Sequence, residues 1–136
     1  MRELNVFLWS ARETRYQIAF FIAAWTGMRQ SEILGMRWKD IDFDNKMLRV
    51  VQTLRHNSTE LISTTKTKAS NRNIALSDQT IEALQKHRRR QIKERLHAGE
   101  VYNNHDLVVC TAVGTPLNSR NLNRALYNLI KKAKIK

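Results

Sequence analysis

Arg29 stands two residues after Gly27, and Glu32 follows it by three. A glycine there can end one helix and leave Arg29 at or just before the start of the next. A guanidinium in that place joins a rigid cationic fork to backbone N–H groups without helical partners, a combination suited to a phosphate undergoing substitution. Glu32, at i,i+3, can reach back and brace the fork. By spacing alone the two residues also fit an ordinary surface ion pair. Lys66 and Lys68 sit two apart where a strand gives way to a turn, so they point the same way from an extended chain. Either can enter a groove and set a mobile ammonium beside a leaving oxygen; a basic turn that simply grips a backbone is the alternative, and Lys68 and Arg72 suit that role. Arg120, Asn121 and Arg124 cluster near the start of the last predicted helix. They fit a phosphate grip and, equally, solubilising charge on an exposed face.

The whole chain is charged in the same sense. Its 136 residues hold 24 Lys+Arg against 12 Asp+Glu, a formal net charge of +12, and 42% are hydrophobic. That is apolar enough for a real core and too apolar for a disordered basic tail. Like charges repel in a compact state, so a surplus of this size points to a polyanionic partner, a nucleic acid above all, though charge does not separate DNA from RNA. The longest apolar run, Ile18 to Trp25, is eight residues, against about 20 for a membrane span. Cys110 is the one cysteine, and no Cys/His cluster has zinc-ligand spacing, so neither a metal nor any other cofactor is expected. A cytoplasmic, metal-free, non-membrane protein is the resulting expectation.

The elements that must position these residues read as helices, a small sheet, and helices again. Leu4, Phe7 and Leu8 mark a short amphipathic helix over residues 3–11. Residues 15–25 are apolar nearly all round, as in a buried helix. A further short helix is predicted over 30–37, with Ile33 and Leu34 inward. Strands are predicted over 47–54, 61–65 and 73–76 as an antiparallel meander. Ser77 caps a long helix to about Leu96, with Ile81, Leu84, Ile92 and Leu96 as its inward stripe. The basic run Lys86–Arg90 surrounds the middle of that helix and reads as a solvated face. Asp106 to Cys110 is extended, Gly114-Thr115-Pro116 is a turn, and a last helix over 119–134 spaces Leu122, Ala125, Leu126, Leu129 and Ile130 for burial. The fold class is α+β, mainly helical with a small three-stranded antiparallel sheet, in one domain spanning 1–136.

Four stretches carry a resemblance. Thr26-Gly27-Met28-Arg29-Gln30-Ser31-Glu32-Ile33-Leu34-Gly35-Met36-Arg37-Trp38-Lys39-Asp40-Ile41-Asp42 resembles the first box of the tyrosine recombinases, the phage-integrase family. In the same order as in that family come Lys66-Thr67-Lys68-Ala69-Ser70-Asn71-Arg72, running into Ile74-Ala75-Leu76, then Asp106-Leu107-Val108-Val109 before Gly114-Thr115-Pro116-Leu117, then Asn121-Leu122-Asn123-Arg124 in a basic helix. The resemblance covers about residues 14–136. It implies an integrase-like catalytic core that acts on double-stranded DNA together with other protomers of its kind, through a metal-free transesterification with a 3′-phosphotyrosine intermediate. It implies that Arg29 is the first catalytic arginine and Glu32 its supporting acid. It also implies that Lys66, with Lys68 as rival, protonates the departing 5′-hydroxyl.

The second half of such a site is expected to lie outside the sequence. The family's His-x-x-Arg box, a later His or Trp, and the nucleophilic tyrosine all follow the helix with which these residues end. His87-Arg88-Arg89-Arg90 fits His-x-x-Arg as a string, but lies upstream in the wrong helix. Tyr16, Tyr102 and Tyr127 read as packing or surface residues. The expectation is therefore the N-terminal portion of a catalytic domain, inactive by itself. The alternative is a stand-alone nucleic-acid-binding or regulatory module on the same scaffold, without catalysis.

Overall fold

A computed structural model describes residues 15–56, 58–63 and 72–133. The helix expected over 3–11, together with Lys66 and Lys68, lies outside the described residues.

Helix α1 (Gln17–Thr26) buries Ile18, Ala19, Phe20 and Ile22. It ends at Gly27, whose φ of 69° is left-handed and whose N–H donates to the Ala23 carbonyl. The turn is fixed a second time by Thr26: its Oγ1 donates to the Ile22 carbonyl at 2.6 Å and accepts from the Met28 N–H at 3.2 Å. Helix α2 (Gln30–Leu34) starts at once, with Arg29 as its N-cap. It is shorter than the expected 30–37, because the chain tightens at Gly35 and turns into a 3₁₀ segment at Trp38–Asp40.

Five short strands follow: β1 (Ile41–Asp42), β2 (Met47–Val50), β3 (Gln52–Leu54), β4 (Leu61–Ser63) and β5 (Arg72–Ala75). They do not form the meander expected from 47–54, 61–65 and 73–76. The first of those strands breaks at Val51. Its first half lies centrally in an antiparallel sheet ordered β1-β2-β5, and its second half pairs with β4 in a separate two-stranded ribbon. Val50 and Val51 are both buried, so the side-chain alternation slips by one residue there, which a continuous strand with one buried face does not permit.

Ser77 caps helix α3 (Asp78–Ala98) by accepting the Thr80 N–H at 3.1 Å. Thr80, Ile81 and Leu84 are buried, but Ile92 and Leu96, expected inward, are 51% and 77% exposed. The inward stripe continues instead through His87 and Gln91. Nε2 of His87 donates to the Val108 carbonyl at 2.6 Å, the Gln91 amide donates to the Leu107 carbonyl at 3.0 Å, and the Gln91 oxygen accepts from Trp38 Nε1 at 2.7 Å. Leu107, Val108 and Val109 are buried, but only Leu107 forms a bridge, an isolated one to Arg37, so the Leu107 and Val108 carbonyls need partners outside a regular sheet, and α3 supplies them. Arg88, from the run expected to be wholly solvated, lies over the Trp38 ring.

Helix α4 (Ser119–Ala133) buries Leu122 and Leu129, with Ala125 and Leu126 packed against the core. Its first turn is held by Asn118, whose Oδ1 accepts the Arg120 N–H at 2.8 Å. Among the described residues no helix is long and apolar enough to cross a membrane.

Helix α2 meets β3 closely at Gly35, where an added Cβ would lie 2.6 Å from both the Gln52 carbonyl oxygen and the Thr53 Cα. Both are backbone atoms, so α2 or β3 would have to move. Gly35→Ala is expected to lower stability by about 1–3 kcal/mol, read as a lower midpoint in urea unfolding.

Candidate active site

The site is assembled around one carboxylate. Glu32, in the first turn of α2, is only 6% exposed. Its Oε1 accepts the N–H of Arg29 at 2.9 Å, the reciprocal half of a capping box. Arg72, at the start of β5, turns its fork onto the same carboxylate: Nη1 donates to Oε2 at 2.5 Å and Nη2 to Oε1 at 2.9 Å. The expected brace between Glu32 and the guanidinium of Arg29 is therefore replaced. Glu32 holds the backbone of Arg29, and its charge is matched by Arg72, a residue forty positions away that spacing rules for helices cannot reach.

That leaves the Arg29 side chain exposed, with no hydrogen-bond or ion-pair partner among the described residues. Its neighbours in sequence are anchored. Met28, Ile33 and Leu34 are buried in the core, so the backbone that carries the guanidinium has little room to move.

The start of α4 lies against the start of α2, since Gln30 Nε2 donates to Asn123 Oδ1 at 2.9 Å. Arg120, Asn121 and Arg124 are all exposed in the first two turns of α4. Asn123, which makes the cross-link, was not singled out in the sequence. Arg72, expected to grip a DNA backbone, has both terminal nitrogens on Glu32. Of the tyrosines, Tyr127 is exposed on α4 and Tyr16 caps α1. Tyr102 is half-buried, and its hydroxyl is pushed up to about 12, chiefly by burial and then by Cys110 beside it.

The electrostatics follow from the same contacts. The Glu32 carboxyl is held below the ordinary glutamate value, first by the hydrogen bond from Arg72, with burial opposing and the Arg29 N–H assisting. Arg72 is raised in turn by Glu32. His87 is lowered, mainly because burial disfavours its charged form.

An exposed arginine fork, on a backbone held by a buried carboxylate, thus stands beside a basic helix start. Comparison with known proteins decides its lineage. The phage integrase family profile matches residues 1–136. The chain belongs to the phage integrase family. It is 34% identical over 134 residues to a tyrosine recombinase XerC-like protein of Caldanaerobacter subterraneus subsp. tengcongensis, covering 88% of this chain and 34% of that protein. An integrase of Streptomyces ambofaciens is 31% identical over 130 residues, covering 91% and 33%. This phage-integrase chain thus spans about a third of the length of the curated relatives it matches. In fold it is similar to the XerA recombinase, with a TM-score of 0.73 at 17% identity over 100% of this chain and 42% of that one. It is also similar to the Tn1549 transposon integrase in complex with circular intermediate DNA, with a TM-score of 0.73 at 22% identity over 94% and 43%. The mainly helical α+β fold with a small antiparallel sheet is that of these integrase structures.

The Glu32–Arg72 pair has a pH signature. Because the folded carboxyl is held below its ordinary value, the stability it contributes is whole above the unfolded glutamate pKa. It erodes as pH falls below that value and is gone once pH has passed through the depressed folded value. Glu32→Gln is expected to cost about 1–3 kcal/mol at pH 7, less than a fully buried pair would, because the Arg72 side chain is 43% exposed. The same substitution should flatten the limb of thermal stability on the acid side of the ordinary glutamate pKa. An acid limb as steep as that of the wild type would contradict the assignment.

Proposed function

We propose that the protein is a site-specific DNA recombinase, and that this chain is the part of its catalytic domain that receives the scissile phosphate. The observation that carries the reading is the Arg29 guanidinium, exposed at the start of α2 on a backbone held by the buried Glu32. Attack on a phosphodiester gathers negative charge on the non-bridging oxygens, and a preorganised fork stabilises that charge without reorganising. Arg29 fills that role. Lys66, or Lys68 two residues on, would give a proton to the departing 5′-hydroxyl. Arg120, Asn121 and Arg124 would hold the flanking backbone and so set register rather than sequence.

The nucleophile in this scheme is a tyrosine supplied from outside these residues. Its attack on phosphorus forms a phosphotyrosine ester at the 3′ end and breaks the bond to the 5′ oxygen, which takes the lysine's proton. The ester keeps the bond energy for rejoining. A DNA partner is supported by the net charge of +12 and by the solved relatives that hold DNA, among them the XerH recombinase bound to difH substrate. Other protomers of the same recombinase on that DNA, and action in the cytoplasm at the nucleoid, complete the reading.

Two measurements test it. On a nicked suicide duplex, the full-length protein should form a covalent adduct in the presence of a metal chelator. Arg29→Ala should slow that step by roughly 10²–10³-fold; adduct formation at an unchanged rate would remove Arg29 from the site. Binding of duplex DNA by the 136-residue chain should weaken steeply with salt. Log K should fall by about 4.5 per decade if roughly five phosphates are contacted. Salt-independent binding would contradict the phosphate cradle.

A further inference from the structure

We propose that Arg72 is a positioning residue, which locks the platform of Arg29 to the strand into which the lysine-bearing segment runs. The inference rests on the reading of Arg29 as the phosphate-binding group. The backbone of Arg72 is fixed in the sheet, where β5 pairs with β2 and Arg72 lies opposite Val50. Its side chain leaves the sheet and reaches α2, where both terminal nitrogens donate to Glu32. Oε1 of Glu32 accepts from Arg72 and from the Arg29 N–H at the same time, each at 2.9 Å. One carboxylate oxygen is therefore shared between the end of β5 and the first turn of α2. Two parallel bonds from a planar fork fix the angle as well as the distance, which a single ammonium contact does not.

The connectivity gives this contact its consequence. Residues 64–71, with Lys66 and Lys68, run directly into Arg72. The clamp thus ties the chain that delivers the lysine to the backbone that presents Arg29. A direct grip on DNA by Arg72 is the competing role. It would draw the fork from a carboxylate that is 6% exposed and leave that charge buried without its partner. The geometry favours holding over gripping.

The test uses the full-length protein with Arg72→Lys, which keeps the charge and loses the fork, and with Glu32→Gln, alone and combined. Four quantities are read: the adduct rate at saturating nicked duplex, the DNA Kd, the slope of log Kd against log salt, and the melting temperature. The expected result for Arg72→Lys is an adduct rate at saturation at least tenfold lower, with Kd and salt slope as in wild type. The double variant should be no slower than the slower single, because both substitutions break one device. A salt slope smaller by about 0.9, with the saturated rate unchanged, would show a phosphate grip and overturn the proposal. So would a lower melting temperature with an unchanged rate per folded molecule, which is structure alone. If the wild type forms no adduct, the functional reading fails separately. The clamp is then decided by salt slope and by coupling of the two substitutions in unfolding, and additive effects there would sink it.

Discussion

A carboxylate buried in a strongly basic chain has few tolerable arrangements, and the one at Glu32 organises everything around it. It is nearly without solvent, so each of its lone pairs that lacks a donor costs free energy. The donors come from two places that are distant in sequence, the first residue of β5 and the N-terminus of α2. Satisfying the acid therefore brings sheet and helix together at one fixed angle. Arg29 enters this arrangement through its backbone N–H, while its exposed guanidinium acts on Glu32 only through its charge. Among the described residues that guanidinium has no hydrogen-bond or ion-pair partner, and the backbone beneath it is held.

The rest of the fold keeps that support rigid. Gly27 closes α1 in a left-handed conformation and delivers the chain to Arg29 within two residues. Gly35 lets the end of α2 settle directly on β3, a contact any side chain would prevent. On the other side of the core, the buried run Leu107–Val109 takes its hydrogen bonds from His87 and Gln91 of α3 and from Met36, whose carbonyl accepts the Val108 N–H at 3.0 Å. The polar stripe of α3 thus stands in for the missing neighbour strand. Trp38 closes the gap, bonded to Gln91, stacked on His87 and capped by Arg88.

How much of this could be read from the residues depends on what kind of signal each feature leaves. Helix α1 is legible because an unbroken apolar run meets a glycine, and the Ser77 cap is legible because serine before a periodic segment has a local mechanism. The split of the 47–54 strand left a faint mark: two adjacent valines, both buried, which the alternation rule forbids on one face. The α3 stripe was misassigned at Ile92 and Leu96 because apolar residues were assumed to face inward. The spacing of Thr80, Leu84, His87 and Gln91 carried the true face, in residues whose polar ends find buried carbonyls. The Arg72–Glu32 contact left no local trace, since nothing in the sequence ranks one distant arginine above another for a given acid. Only the fold could select it. That Glu32 holds the backbone of Arg29 and not its guanidinium was equally beyond the reach of spacing.

The most direct test is a structure of the full-length protein on a nicked duplex that carries its recombination site. The account predicts that the Arg29 guanidinium and the ammonium of Lys66, or of Lys68, lie within about 3 Å of oxygens of the same phosphodiester, with Arg72 still paired to Glu32. An Arg29 side chain turned to solvent or to a different phosphate, or an Arg72 fork lying on the DNA with Glu32 unpaired, would contradict it.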